Sequence, residues 1–457
     1  MAFSVAHLSG TSRPRAKQHA AGGFSSFVVE WQQDGVERGE IPRGEETGVA
    51  WREWRRVMVV VLVLKGVLLG AGGLSALLVP LAPERYVVGF HHFRPESRME
   101  GTGVEFFSLW TYGDAEWYQA IAARGYPSRK AFLSPDREPP LYRFAPGDPL
   151  GPFLKSTEND QKMKFAFFPL YPLLIHLLAP LLSLEGAAFF VANLGSFLGL
   201  LAVYRLGREL GASETTALRG VVLLALYPFG VFFQASYPEG LFLLLAALAF
   251  CLLAQRRYGA SALCGALLCL TKGVGVLATL PLLLGARLQG AKVRDLALLA
   301  LVPTGLLPYM ALNFARTGSW TYFNEVLVFW QYGATNPLGS LARNLTTLFL
   351  DFDALAWLSF HSSRLDALAM LAFLGLLVGS FRRIPSHLWL YAALLWLTPM
   401  LRKDLMSFGR YMSLLFPLFL YGASRLSSPW AFRGVAAMLG LGALATHVML
   451  IHWIWVG

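Results

Sequence analysis

The chain contains few charged residues and only three cysteines. Charged side chains make up 15% of its 457 residues, whereas a soluble domain carries about 25%. With a mean hydropathy of +0.49, this shortage excludes an ordinary soluble domain and predicts a polytopic membrane protein. Cys251, Cys264 and Cys269 fall inside apolar segments and lack the spacing of metal ligands. We interpret them as small core residues and expect no metal site.

The net charge of +11 by itself would suit a nucleic-acid partner. However, the basic residues lie mainly in short clusters between apolar runs, which is typical of membrane topology signals. We therefore expect membrane lipids and no nucleic acid as partners. Residues 1–50 are polar and of mixed charge, and their apolar stretch 24–29 is too short for a signal peptide. We predict a disordered cytoplasmic tail over 1–50 and a membrane domain over 51–457.

The first predicted span, 57–81, follows Arg52, Arg55 and Arg56. By the positive-inside rule these arginines put the N-terminus in the cytoplasm. The charged, proline-bearing segment after this span is then the first extracytoplasmic loop, which we place at 82–185. A loop of this length inside a bundle is usually functional or disordered.

Segment 165–184 is apolar, but we predict that it stays outside the membrane as a juxtamembrane helix. Counting it as a span would reverse the sides of the later basic clusters, and prolines lie at its start and near its end. The predicted fold is thus all-α, with about eleven spans of roughly 20 residues. After the first span these are 187–204, 218–233, 241–254, 260–270, 274–286, 296–314, 365–381, 388–400, 408–421 and 436–454. The short spans near Lys272 predict broken helices that line a cavity.

Two acids stand at the predicted outer surface, two residues apart, in the sequence GDAEWYQAIA at 113–122. A carboxylate at the mouth of a membrane bundle can remove a proton from an acceptor hydroxyl. We therefore assign Asp114 and Glu116 as catalytic candidates on a helix that lies along the membrane surface. The alternative for Asp114 is a helix cap, and Glu239 has the alternative of an exposed acid in a turn.

A basic cluster also falls on the predicted outer side, against the usual charge bias. It comprises Arg402, Lys403 and Arg410. These residues either meet lipid headgroups or bind a phosphate, whose oxygens match the fork of an arginine.

Several motifs occur in an order that resembles one known family. They are GDAEWY at 113–118 with GY at 125–126, FFPLYPLL at 167–174, YPEGLF at 237–242, LTKG at 270–273, SFGRY at 407–411 and FPLF at 416–419. This set resembles the PIG-V-type mannosyltransferases, a branch of the GT-C membrane glycosyltransferases, from the first span to the C-terminus. The family usually has Trp where this chain has Gly113, and Tyr-Thr-Glu-Ser where it has YPEG at 237–240. These departures leave the acceptor and the sugar open.

The resemblance implies a GT-C-like bundle and an inverting transfer on the extracytoplasmic face. The donor would be a polyprenyl-phosphate-linked sugar, usually a mannose, and the acceptor a lipid-linked or glycan molecule. The family's acidic motif falls on Asp114. A nucleotide-binding loop is missing, which disfavours a nucleotide-sugar donor, and no cofactor is expected. We assign the donor phosphate to Arg410, Lys272, Arg402 and Lys403, and substrate contacts to Tyr118, Tyr171, Glu239 and Tyr411.

Other classes of function remain to be weighed against an enzyme. A transporter or flippase of lipid-linked sugars would favour internal repeats and ionisable residues at mid-membrane, whereas here the acids gather at predicted outer ends. A purely structural scaffold would need no such asymmetry. The enzyme hypothesis requires that Asp114, Glu239, Lys272 and Arg410 meet at one outer cavity. It is compatible with a bacterial inner membrane and with the endoplasmic reticulum.

Overall fold

The computed structural model describes residues 46–79, 106–133, 160–327, 363–401, 407–452 and 454–456, with isolated positions between 336 and 346. Within these residues the regular structure is helical and no strand occurs. The predicted all-α polytopic membrane fold is confirmed. Residues 1–45 of the predicted tail lie outside the described residues, and so do Arg402 and Lys403.

The first helices in chain order overlap the first predicted span and the predicted first loop. They are α1 (Glu46–Leu78), α2 (Phe106–Leu109), α3 (Asp114–Arg124), α4 (Arg129–Leu133), α5 (Asp160–Met163) and α6 (Leu170–Leu182). The central helices are α7 (Leu184–Glu209), α8 (Glu214–Ala225), α9 (Glu239–Ala254), α10 (Tyr258–Thr271), α11 (Thr279–Leu288), α12 (Val293–Ala300), α13 (Leu307–Thr317) and α14 (Tyr322–Glu325). The last are α15 (Ser363–Ser380), α16 (Ser386–Met400), α17 (Phe408–Met412), α18 (Phe416–Arg425) and α19 (Pro429–Ile451).

Four stretches of helix in the described residues are long and apolar enough to cross a membrane. They are Trp51–Leu78, Leu184–Glu209, Val293–Thr317 and Pro429–Ile451. Their lengths of 23 to 28 residues exceed the roughly 20 residues that a bilayer core requires. They overlap the predicted spans 57–81, 187–204, 296–314 and 436–454. The total number of spans stays a prediction.

Several predicted spans are broken rather than continuous. The predicted span 218–233 consists of α8 and a separate 3₁₀ turn, Pro228–Phe233, and the predicted span 408–421 is divided between α17 and α18. Pro228 and Pro417 stand in the first turn of the second piece, where a residue without a backbone N–H is tolerated. The break predicted near Lys272 is also present. Lys272 has extended backbone between α10 and the 3₁₀ turn Gly273–Ala278.

Helix α6 bears on the predicted topology. Its 13 residues rise about 20 Å at 1.5 Å per residue, which is shorter than the ~30 Å hydrocarbon core. It ends at Ser183, whose hydroxyl accepts a hydrogen bond from the backbone N–H of Gly186 and so begins α7. This length agrees with a juxtamembrane helix. The side of the membrane on which α6 lies stays a prediction.

Helices α7 and α9 pack closely at two glycines that face backbone atoms of the opposite helix. A Cβ at Gly240 would come within 2.3 Å of the Ala192 carbonyl oxygen, and one at Gly195 within 2.9 Å of the Leu241 nitrogen. Small residues let membrane helices approach to this distance. Since Glu239 is the first residue of α9, this contact fixes the position of its carboxylate.

We expect Gly240→Ala to destabilise the protein by about 1–3 kcal/mol, because the opposing atoms are backbone and cannot rotate away. The measurement is the temperature at which half of the detergent-solubilised protein is lost from its size-exclusion peak. Gly70→Ala is the matched control, because no atom lies within 4 Å of the Cβ position at Gly70 in α1. Equal melting temperatures for the two variants would contradict the close α7–α9 contact.

Candidate active site

Asp114 lies at the start of α3, in which residues 115–122 are buried. Helix α3 has Gly113 as its N-cap residue, and no side chain caps it. Asp114 is therefore the first helical residue and not the cap, which removes the alternative role that its sequence position allowed. Its Oδ2 instead accepts a hydrogen bond of 2.7 Å from Nη1 of Arg410.

Arg410 and Lys272 converge on a second acid. Glu239 Oε1 accepts a hydrogen bond of 2.5 Å from Arg410 Nε and one of 2.6 Å from Lys272 Nζ. Four residues from four separate chain segments thus form one connected group, which we call the charge cluster: Asp114, Glu239, Lys272 and Arg410. Two carboxylates and two cations balance each other within it.

The members of the charge cluster differ in how far their side chains are exposed to solvent. The side chains of Glu239 and Arg410 are 0% and 6% exposed, whereas those of Lys272 and Asp114 are 13% and 28% exposed. The two inner members hold each other, and the two outer members are accessible to a ligand. Charged hydrogen bonds in such a shielded setting are stronger than those between neutral groups.

Aromatic rings enclose the two cations. The guanidinium carbon of Arg410 lies 4.6 Å from the ring centre of Tyr237 and 4.9 Å from that of Phe232. Lys272 Nζ lies 5.1 Å from the ring centre of Tyr411. Cations are attracted to ring faces at these distances. The rings of Tyr237 and Phe232 are themselves buried, so they shield the guanidinium from solvent.

A cavity of about 730 Å³ adjoins the charge cluster. Its polar lining residues are Tyr118, Lys272, Asn324, Thr398 and Tyr411. Much of the remaining wall is apolar and includes Val274, Val276, Leu277, Leu306, Leu327 and Leu401. A lining with one cation, several polar groups and much apolar surface suits a molecule with a charged head and a hydrocarbon chain.

Tyr118 lies one helical turn after Asp114. Burial raises the pKa of its phenol well above the ordinary value, and the charge of Glu239 raises it further. The phenol is therefore neutral at physiological pH, so Tyr118 can offer a ligand a hydrogen bond but cannot serve as a base.

Three further candidates from the sequence, Glu116, Tyr171 and Glu239, are buried. Glu116 is buried two residues after Asp114, which turns its side chain about 200° around the helix from Asp114. Tyr171 is fully buried, and its hydroxyl donates to the Ala188 carbonyl at 2.8 Å. A substrate contact by either residue would require the surrounding packing to open. Glu239, predicted to touch substrate, instead has both cations as its partners.

Sequence reasoning missed the residues that hold Arg410 in place. Asp366 on α15 accepts a 2.6 Å hydrogen bond from the Gly409 backbone N–H, and the Tyr227 hydroxyl donates to the Gly409 carbonyl at 3.1 Å. Both backbone polar groups of the residue before Arg410 are thereby fixed. The sequence offered one signal for Asp366, namely that an acid falls within the predicted span 365–381.

The glycine at position 113 has a structural cause. This residue has φ = 64° and ψ = −127°, a conformation that is essentially open to glycine alone. The indole of Trp455 occupies the space that a side chain would need, since a Cβ at Gly113 would come within 2.6 Å of it. The side chain of Trp455 thus lies against Gly113, the residue before Asp114.

Neither a protein-family model nor a curated protein matches the sequence. Among solved structures, the chain is similar to ArnT from Cupriavidus metallidurans bound to undecaprenyl phosphate, with 15% identity and a TM-score of 0.44 over 84% of this chain and 62% of that one. It is also similar to the archaeal oligosaccharyltransferase AglB from Archaeoglobus fulgidus in complex with an inhibitory peptide and a dolichol-phosphate. There the identity is 13% and the TM-score 0.41, over 88% of this chain and 56% of AglB. The chain therefore spans less than two thirds of either neighbour, and we assign no activity on this similarity.

We expect Glu239→Gln to destabilise the protein by about 3–5 kcal/mol, because it leaves two cations with one fewer buried counter-charge. Thermal unfolding in detergent measures this. The control is Glu209→Gln, which breaks a pair with Arg205, whose side chain is 49% exposed. Such surface pairs contribute about 0–1 kcal/mol. If the two variants unfolded at the same temperature, Glu239 would not be the centre of the charge cluster.

Proposed function

We propose that this protein is an inverting glycosyltransferase that uses a polyprenyl-phosphate-linked sugar, with mannose as the first sugar to test. The acceptor is a lipid-linked or glycan hydroxyl on the extracytoplasmic side. The proposal rests chiefly on one observation: the partly exposed carboxylate of Asp114 is joined through Arg410 and Glu239 to Lys272, and Lys272 lines the cavity. The motifs that resemble the PIG-V-type mannosyltransferases support the same chemistry.

The reaction requires one base and one site of positive charge. The acceptor hydroxyl oxygen attacks the anomeric carbon of the donor sugar and forms the new glycosidic bond. The bond between that carbon and the phosphate oxygen breaks on the opposite face, and its electron pair leaves with the polyprenyl phosphate. Asp114 takes the hydroxyl proton. No acid is needed for the leaving group, because a phosphate leaves without protonation when a cation offsets its charge.

Lys272 is the group proposed to offset that charge. It lines the cavity, whereas both Arg410 atoms described as hydrogen-bond donors face carboxylates. Arg410 then has two parts in the proposal: it orients Asp114, and it adds positive potential behind Lys272. From the sequence we assigned the phosphate to Arg410 and Lys272 alike, and we now give the direct contact to Lys272.

The decisive assay supplies the purified protein with labelled polyprenyl-phosphate-mannose and a lipid extract, and identifies the labelled product. A product with the anomeric configuration opposite to that of the donor is the expected result. Release of free sugar without an acceptor product, or no consumption of any polyprenyl-phosphate sugar, would contradict the proposal. Movement of intact donor across the membrane of proteoliposomes would favour a flippase.

Asp114→Asn should lower transfer by about 10²–10⁴, because the substitution keeps the shape of the side chain and removes the base. Expression and the size-exclusion profile should remain normal. Glu116→Gln is the matched control on the same helix and should retain transfer. Activity in Asp114→Asn together with its loss in Glu116→Gln would move the base to Glu116.

Lys272→Ala should raise the KM for the donor more than it lowers kcat, because the lost cation contacts the phosphate in both bound donor and transition state. Arg410→Ala should mainly lower kcat, with a loss of about 2–4 kcal/mol in transition-state stabilisation, and Arg410→Lys should lose less. Donor titrations at saturating acceptor separate the two effects. If Arg410→Ala mainly raised the KM for the donor and Lys272→Ala mainly lowered kcat, Arg410 and not Lys272 would be the phosphate ligand.

A further inference from the structure

We infer that Tyr237 is a positioning residue that sets the distance between the Asp114 carboxylate and the Arg410 guanidinium. The inference rests on the proposed function for its catalytic consequence and on geometry alone for the linkage. Tyr237 is fully buried and therefore acts on Asp114 and Arg410 from behind, without touching a substrate.

Its hydroxyl group holds the segment that leads into Asp114. It donates a hydrogen bond of 2.6 Å to the carbonyl oxygen of Tyr112, two residues before Asp114. The hydroxyl oxygen of Tyr237 would also lie 3.0 Å from a Cβ at Gly113. Since Gly113 is the N-cap of α3, this contact fixes where the helix begins and hence where Asp114 stands.

The aromatic ring of Tyr237 holds the other partner. The Arg410 guanidinium carbon lies 4.6 Å from the ring centre, while the charged nitrogens of Arg410 reach Asp114 and Glu239. One side chain therefore contacts the guanidinium with its ring and the acid-bearing loop with its hydroxyl.

Neighbouring bonds attach the same turn to the loop from a second point. The Ser236 backbone N–H donates to the Trp110 carbonyl at 3.0 Å, and the Thr111 and Ser236 hydroxyls lie 3.4 Å apart. The turn that ends in Glu239 is thus joined to the segment 110–113 over several residues. Tyr237 takes part in this connection and also contacts Arg410. It therefore couples Asp114, Arg410 and the turn that ends in Glu239.

Tyr237→Phe is the informative substitution, because it keeps the ring against Arg410 and removes only the hydroxyl bond to Tyr112. We expect kcat to fall by about three- to tenfold, the size of one lost hydrogen bond, with an unchanged KM for the donor. Tyr391→Phe is the matched control. It removes a buried phenol that donates to the Leu414 carbonyl at 3.3 Å and should leave kcat unaltered.

Thermal unfolding tests the linkage independently of any activity. The shift in Tm of the double variant Tyr237→Phe/Asp114→Asn should be smaller than the sum of the two single shifts, because both remove parts of one structure. The pair Tyr391→Phe/Asp114→Asn should be additive. Additive shifts for Tyr237, or a raised donor KM with normal kcat in Tyr237→Phe, would overturn the inference. If the wild-type protein transferred no sugar, the proposed function would fail while the Tm comparison still decided the linkage.

Discussion

The carboxylate of Glu239 is the group on which the rest of the site depends. It has no exposure to solvent and accepts hydrogen bonds from two cations. Removing a charge from water is costly, and the cost is offset only when partners are close and well aligned. Arg410 and Lys272 must therefore remain where they are. Because Arg410 also donates a hydrogen bond to Asp114, the burial of Glu239 also affects the orientation of a second, partly exposed acid.

Much of the architecture could be predicted from simple physical patterns. Long apolar runs without charge require helices in a membrane, since backbone polar groups must be satisfied internally. The break near Lys272 was visible as spans too short to cross a bilayer. Asp114, Glu239, Lys272 and Arg410 were marked by being charged in an apolar chain, and the structure brings all four together.

What the sequence could not provide was the pairing among those groups. A lone arginine beside a membrane favours phosphate or headgroups, and nothing local indicates that its guanidinium faces two carboxylates. Asp366 and Tyr227 act through the backbone of Gly409, so their effect depends on helix packing that no motif records. Trp455 illustrates the same limit, because only the folded chain brings it against Gly113. Pro228, by contrast, was a visible helix breaker whose effect on the span 218–233 was underestimated.

The sequence separations within the charge cluster impose an order on its assembly. Lys272 and Glu239 are 33 residues apart and lie at the ends of consecutive helices, so they can pair as soon as those helices meet. Arg410 lies 171 residues from Glu239 and 296 from Asp114. Contacts across such distances form late, because most of the chain must be arranged first. Lys272 can therefore pair with Glu239 before Arg410 has been synthesised. The bond between Arg410 and Asp114 can form only once the chain around Arg410 is in place.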